Sequence, residues 1–174
     1  MKHCILLTGS NAAGKTTAVS KALEPWSADP RVLSLRADND SRFKGDAQDQ
    51  RRVLTELWFS DTSILMIEGT RINTPTMDVS KINKEVRQLT VIMVLQTPDV
   101  MKQHLIARCA KRNKVFRADY WSYWKLEYEG SKRYPNNFRK NYITPVVFNM
   151  DLEYKVQDEV VDYLQGLIKQ ALGE

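Results

Sequence analysis

The chain has 174 residues, of which 43% are hydrophobic and 27% charged, enough for one substantial core but not for two comfortable ones, so a single domain over 1–174 is expected. No apolar run approaches the roughly 18 residues a membrane span needs, and Gly9 interrupts the apolar start before it can be a signal peptide. Two cysteines, Cys4 and Cys109, make neither a disulfide framework nor a metal site, so a cytoplasmic protein with free thiols is the expectation.

Residues 3–8, His-Cys-Ile-Leu-Leu-Thr, read as a short buried strand. Directly after it comes Gly9-Ser10-Asn11-Ala12-Ala13-Gly14-Lys15-Thr16, a full match to the phosphate-cradling pattern G-x-x-x-x-G-K-[ST]. Thr17 to Leu23 follows with Ala18, Val19, Ala22 and Leu23 at helical spacing. Strand, glycine loop and helix thus arrive in the order a polyphosphate site requires. Gly9 and Gly14 let the backbone turn its N–H groups inward, and the helix N-terminus adds partial positive charge. On this reading residues 9–17 bind ATP, Lys15 reaches the β- and γ-phosphates, and Thr16 ligates Mg²⁺. A glycine turn before an ordinary helix would explain neither the spacing nor the preceding strand.

Pro25 and Pro30 mark a loop, and 31–35 alternates into a second strand. Its exit, Arg36-Ala37-Asp38-Asn39-Asp40-Ser41-Arg42-Phe43, lies where a parallel sheet places its chemistry, beyond the carboxyl ends of the strands. A helix is predicted over 48–59. Residues 63–69 form a continuous apolar run closed by Glu68, the pattern of a central parallel strand. A loop over 71–76 and a helix over 77–86 precede the clearest strand, 90–95.

The next helix starts at Thr97-Pro98-Asp99 and carries Met101, Leu105, Ile106 and Cys109 as it runs to Lys114. A further helix is predicted over 118–129, broken at Tyr134-Pro135-Asn136-Asn137. A fifth strand follows at 145–150, and an amphipathic helix at 158–172 closes the chain. Alternation of this kind predicts a three-layer α/β fold around a mainly parallel five-stranded sheet.

Charge is uneven along the chain. Residues 101–140 hold eleven Lys and Arg against three acids, a local +8 in a chain of net +5, which fits contact with phosphates. Arg108 and Arg112 share a helix face and can stabilise a phosphoryl group in flight, although a solvated basic face has the same composition. Eight of sixteen aromatics lie in the same stretch. Trp121, Trp124 and Tyr128 fit an apolar stripe packed on the core, whereas Tyr120, Tyr123, Tyr134 and Phe138 are the better candidates for stacking on bases.

Asp38 and Asp40 end the second strand and Glu68 the third, so one carboxylate can take a proton from an attacking hydroxyl while another holds hydrated Mg²⁺. Either aspartate can equally be a turn or helix-cap residue.

At these residues the chain resembles small P-loop kinases that phosphorylate hydroxyl groups. Asp38-Asn39-Asp40-Ser41 with Ile67-Glu68-Gly69-Thr70 is similar to pieces of the zeta-toxin kinases. Compact size and the basic helix after the fourth strand resemble the kinase domain of phage polynucleotide kinase, a neighbourhood that includes phage kinases of hydroxymethyluracil in DNA. The Asp-x-Asp element is also similar to gluconate and shikimate kinases. The resemblance covers residues 3 to about 114 and is strongest at the phosphate loop.

It implies a kinase-type P-loop fold with a helical lid over 108–140 and an ATP- and Mg²⁺-dependent transfer to a hydroxyl. Lys15, Asp38, Asp40, Glu68, Arg108 and Arg112 would be catalytic, with Thr16 and Asp38 at the metal. Arg36, Arg42, Thr70, Arg71, Tyr120 and Tyr123 would face the acceptor. The leading expectation for that acceptor is a nucleic acid or nucleotide. A small metabolite or nucleotide sugar is the alternative, and a nucleotide-dependent switch a third reading. No membrane partner is expected.

Overall fold

The computed structural model describes residues 3–10, 12–37, 62–69, 88–140, 144–149 and 154–174. Five strands form one all-parallel sheet: β1 (His3–Gly9), β2 (Val32–Arg36), β3 (Ile64–Glu68), β4 (Gln88–Leu95) and β5 (Val146–Asn149), in the order β2-β3-β1-β4-β5. The five α-helices among the described residues are α1 (Lys15–Leu23), α2 (Pro98–Lys111), α3 (Ala118–Ser131), α4 (Tyr134–Lys140) and α5 (Tyr154–Leu172). The predicted helices over 48–59 and 77–86 lie outside the described residues, as does the loop over 71–76.

The apolar runs at the middle of the sheet are buried on both faces, and alternate side chains sort into two cores. Ile5, Leu7, Ile64, Met66, Ile92 and Val94 face α1 and α5, where Ala18, Val19 and Ala22 meet Val160, Leu164 and Ile168. Cys4, Leu6, Leu65, Ile67, Val91 and Met93 face the other way, against Phe138 of α4. Such double burial explains why these strands read as continuous rather than alternating apolar segments.

β1 lies at the centre, and the connections diverge around it: β1 leads to β2 at one edge, while β3 leads across β1 to β4 on the other side. The crevice outside the carboxyl ends of β1 and its neighbours is therefore the place for a ligand.

Several boundaries differ from expectation for identifiable reasons. Helix α1 begins at Lys15, before the apolar periodicity starts, because Gly14 takes a left-handed conformation (φ 73°, ψ 12°) and turns the chain directly into the first turn. Pro135 does not break the chain into a loop. The interruption falls at Lys132 and Arg133, and Pro135 sits in the first turn of α4, where its missing N–H costs no hydrogen bond. Helix α5 starts at Tyr154, four residues before the predicted 158.

Phe138 overturns an expectation. Instead of presenting a stacking surface it is fully buried in the core behind β1 and β3. Trp121 and Tyr128 are half-buried rather than core residues. Lys102 Nζ stands 5.7 Å from the Trp121 ring centroid and Lys132 Nζ 4.7 Å from that of Tyr128. Tyr123 and Leu126 are exposed. The side chains of Tyr120, Trp124 and Tyr134 lie outside the described set.

Both cysteines are free thiols; Cys4 is buried among apolar side chains, which push its thiol up to about 12 and leave it inert. No described helix is long and apolar enough to cross a membrane.

Two consequences for stability follow from the sheet and α5. His3 is buried at the amino end of β1, with Nε2 2.9 Å from Thr90 Oγ1, and burial holds its pKa below the ordinary 6.5. The unfolded chain therefore binds the proton more readily. Stability present above about pH 6.5 is lost as pH falls through the lower folded value. Urea midpoints measured from pH 7.5 down to 5 will fall less steeply in His3→Gln than in the parent.

Gly166 lies inside α5 on its exposed side, and a Cβ there meets nothing within 4 Å. Gly166→Ala is expected to stabilise the protein by about 0.8 kcal/mol, from helix propensity alone, read as a higher urea midpoint at unchanged slope.

Candidate functional site

The glycine loop leaves β1 at its carboxyl end and enters α1, with positive φ at Gly9 (128°), Ala12 (56°) and Gly14 (73°). Gly9 can be nothing else, since a Cβ there falls 1.9 Å from the Val94 carbonyl oxygen on β4. From Gly14 the chain passes directly into helix, so the N–H groups of the first turn have no intrahelical partners and face the loop's concavity.

A framework from β4 and α2 holds the loop. Ser10 N–H donates to the Val94 carbonyl at 2.9 Å, and Gln96 N–H donates to Ser10 Oγ at 3.2 Å. The left-handed Ala12 turns its carbonyl toward Gln96 Nε2, which donates to it, and His104 Nδ1 lies 3.2 Å from the same oxygen. Gln96 and His104 are site residues that the sequence motif does not contain. The available signal was a polar residue directly beyond the clearest strand, where the topology brings β4 beside β1.

Lys15 is buried and folds back over the loop, its Nζ donating to the Ser10 carbonyl at 2.6 Å and to the Gly9 carbonyl at 3.4 Å. Thr16 Oγ1 donates to Glu68 Oε1 at 2.7 Å. Arg36 reaches the same pair: Nε donates to Glu68 Oε1 at 2.8 Å and Nη2 to Thr16 Oγ1 at 3.1 Å. β2 and β3 bring these side chains together, because Arg36 and Glu68 are register partners at the ends of adjacent strands. Glu68 Oε2 is buried with no hydrogen-bond partner among the described residues.

Together these groups line a cleft of about 130 Å³, bounded by residues 12–17, Arg36, Glu68, Gly69 and Arg108. Arg108, near the end of α2, brings a third cation to a cleft whose described lining holds one acid. Partial burial, then the neighbouring charge of Arg112 and that of Arg36, lower its pKa from the ordinary arginine value. It remains charged at neutral pH. Arg112 caps the exposed end of α2 and is not part of the cleft wall.

Tyr123 is on exposed α3, and Tyr120 is placed on the same helix by its backbone alone. Asn11, Asp38, Asp40, Arg42, Thr70 and Arg71, all named from the sequence, lie outside the described residues.

The residues fit Mg²⁺ by donor chemistry. A hydroxyl and a carboxylate stand at hydrogen-bond distance beside a phosphate loop, and one buried carboxylate oxygen lacks a donor among the described residues. Mg²⁺ prefers such hard oxygens and takes only one or two from protein, completing its shell with phosphates and water. The described residues hold no cluster of three or more His, Cys, Asp or Glu that would form an all-protein cage.

Sheet order, the loop between β1 and α1, and helices on both faces define a three-layer α/β P-loop fold of the kinase type. Solved structures share it. The YorR protein of Bacillus subtilis, in complex with phosphorylated GDP, matches with a TM-score of 0.68 at 12% identity, over 98% of this chain and 98% of its own. A gluconokinase from Sinorhizobium meliloti 1021 matches at 0.60 and 11% identity, over 97% and 94%. A shikimate kinase from Bacteroides thetaiotaomicron matches at 0.56 and 19% identity, over 95% and 98%. No protein-family model and no curated protein matches the sequence.

Proposed function

We propose that the protein is an ATP-dependent phosphotransferase that moves the γ-phosphoryl group to a hydroxyl of a small polar acceptor. The observation that carries this reading is the convergence of the Thr16 hydroxyl, the Glu68 carboxylate and Arg36 at the mouth of the phosphate loop. Arg108 lines the same cleft.

The loop's amides and Lys15 hold the triphosphate tail, with Lys15 leaving the Ser10 carbonyl to meet phosphate oxygens. Thr16 and Glu68 are the residues to hold Mg²⁺, which when bound draws charge off the transferring phosphoryl group. Arg108 supplies positive charge where it accumulates in the transition state, and Arg112, one helical turn on, adds to that field. Asp38 or Asp40 is the proposed base. Ala37, the residue before Asp38 in the sequence, donates its N–H to the Glu68 carbonyl. Residues 108–140, including Tyr120 and Tyr123, are the proposed lid and acceptor wall.

Gluconokinase and shikimate kinase among the structural neighbours favour a small acceptor over a nucleic acid. A nucleotide acceptor is the second reading, supported by the phosphorylated GDP held by the YorR protein and by the +8 of residues 101–140.

The test is transfer of labelled γ-phosphate, with Mg²⁺, to polyhydroxy acids, sugars, nucleotides and oligonucleotides, the products being identified by mass. Label on a small hydroxylated acid or sugar is the expected result. Label on nucleotides moves the assignment to the second reading, and salt-sensitive labelling of oligonucleotides restores the nucleic-acid expectation. Hydrolysis without any acceptor, unaffected by Asp38→Ala and Asp40→Ala, overturns the kinase reading in favour of a switch.

A further inference from the structure

Glu68 is a carboxylate with a side chain only 4% exposed, and a charge so placed requires a counterion. Arg36 provides it from a guanidinium that is itself 54% exposed and so free to leave toward solvent. The same guanidinium also donates to Thr16 Oγ1. It therefore contacts both oxygens that the proposed function assigns to the metal, and does so with a positive charge.

Glu68 Oε2, meanwhile, is buried and has no partner among the described residues. The guanidinium satisfies one carboxylate oxygen and leaves the other able to accept from a cation. We infer that Arg36 is a built-in stand-in for the divalent cation, which holds the Thr16–Glu68 pair in its binding geometry and must be displaced before the metal enters.

This rests on the proposed function only in taking Thr16 and Glu68 as metal-facing groups. Two cations cannot share Glu68 Oε1 and Thr16 Oγ1 at contact distance without strong repulsion. Metal entry therefore breaks the Arg36 ion pair and releases its half-exposed guanidinium toward solvent. Arg36 lowers the affinity of the metal-free protein for the divalent cation, and so sets how much of that cation nucleotide binding requires.

The test uses Mn²⁺ as the probe, titrated by electron paramagnetic resonance into the parent, Arg36→Ala, Arg36→Met and Arg36→Lys without nucleotide. Arg36→Ala and Arg36→Met, which remove the competing charge, are expected to bind Mn²⁺ about tenfold more tightly, the size of one charge-assisted bond discounted for exposure. Arg36→Lys keeps a cation in reach and is expected to stay near the parent. The methionine keeps the aliphatic stem, so that it reports the loss of charge even if alanine loosens the strand end.

Equal or weaker Mn²⁺ binding in both neutral variants overturns the inference, and so does an absence of Mn²⁺ binding in all four proteins. Calorimetric titration of ATP in the presence of a chelator separates the two proposals. ATP binding that persists there, with Mn²⁺ affinity unmoved by Arg36, keeps the phosphate-loop reading and removes only the stand-in. No ATP binding with or without metal removes the proposed function itself.

Discussion

Lys15→Ala is expected to lower phosphoryl transfer by about a thousandfold, the scale on which a single preorganised donor to a developing charge acts. The residue's surroundings show why. Its ammonium is already inside the loop, donating to the Ser10 carbonyl at 2.6 Å, so a small swing delivers it to phosphate oxygens without recruiting a charge from solvent. Alanine is also the strongest helix former and leaves the start of α1 intact, so folding should persist. Initial rates measured together with the urea midpoint decide the matter. A variant that is folded but inactive fits a catalytic lysine. One that unfolds identifies Lys15 as a structural plug for the loop carbonyls, and one that stays active removes it from the chemistry.

Gly9→Ala is expected to destabilise the protein by about 4 kcal/mol or more, at the exceptional end of what point substitutions do. Two independent penalties coincide. The new Cβ would fall 1.9 Å from a main-chain oxygen of β4, an atom that cannot rotate away. The backbone there has φ 128°, a conformation that side chains of ordinary handedness rarely adopt. Because β1 lies between β3 and β4, relief would require parting central strands. Urea unfolding by circular dichroism measures the loss. A midpoint within experimental error of the parent would show that the loop relaxes more easily than its contact with Val94 implies.

The contrast between Gly9 and Phe138 shows which kinds of information a chain carries openly. Gly9, Gly14, Lys15 and Thr16 were legible because a phosphate nest is local: a few consecutive residues must have particular backbone angles, and few residue types permit them. The apolar runs of β1, β3 and β4 were legible for a related reason, since strands buried on both faces have little choice of side chain. Phe138 was misread because it stands in a basic, aromatic stretch whose composition fits a binding groove as well as a core edge. Its burial depends on α4 meeting the face of β1 and β3 that carries Leu6 and Ile67, a contact between segments far apart in sequence. Trp121 and Tyr128 fit neither expectation cleanly, being half-buried with lysines over or beside their rings.

Taken alone, the sequence determined the class of sheet, the phosphate loop and the presence of acids at the exits of two strands, because each is written in short-range pattern. Only the tertiary structure decided which of those groups meet. Arg36 and Glu68 are separated by 32 residues and become partners through the pairing of β2 with β3. Gln96 and His104 hold Ala12 across more than eighty residues because β4 lies beside β1. Parallel pairing makes neighbours of strand ends that the chain itself keeps apart, and it is at those ends that the polar groups of this site converge.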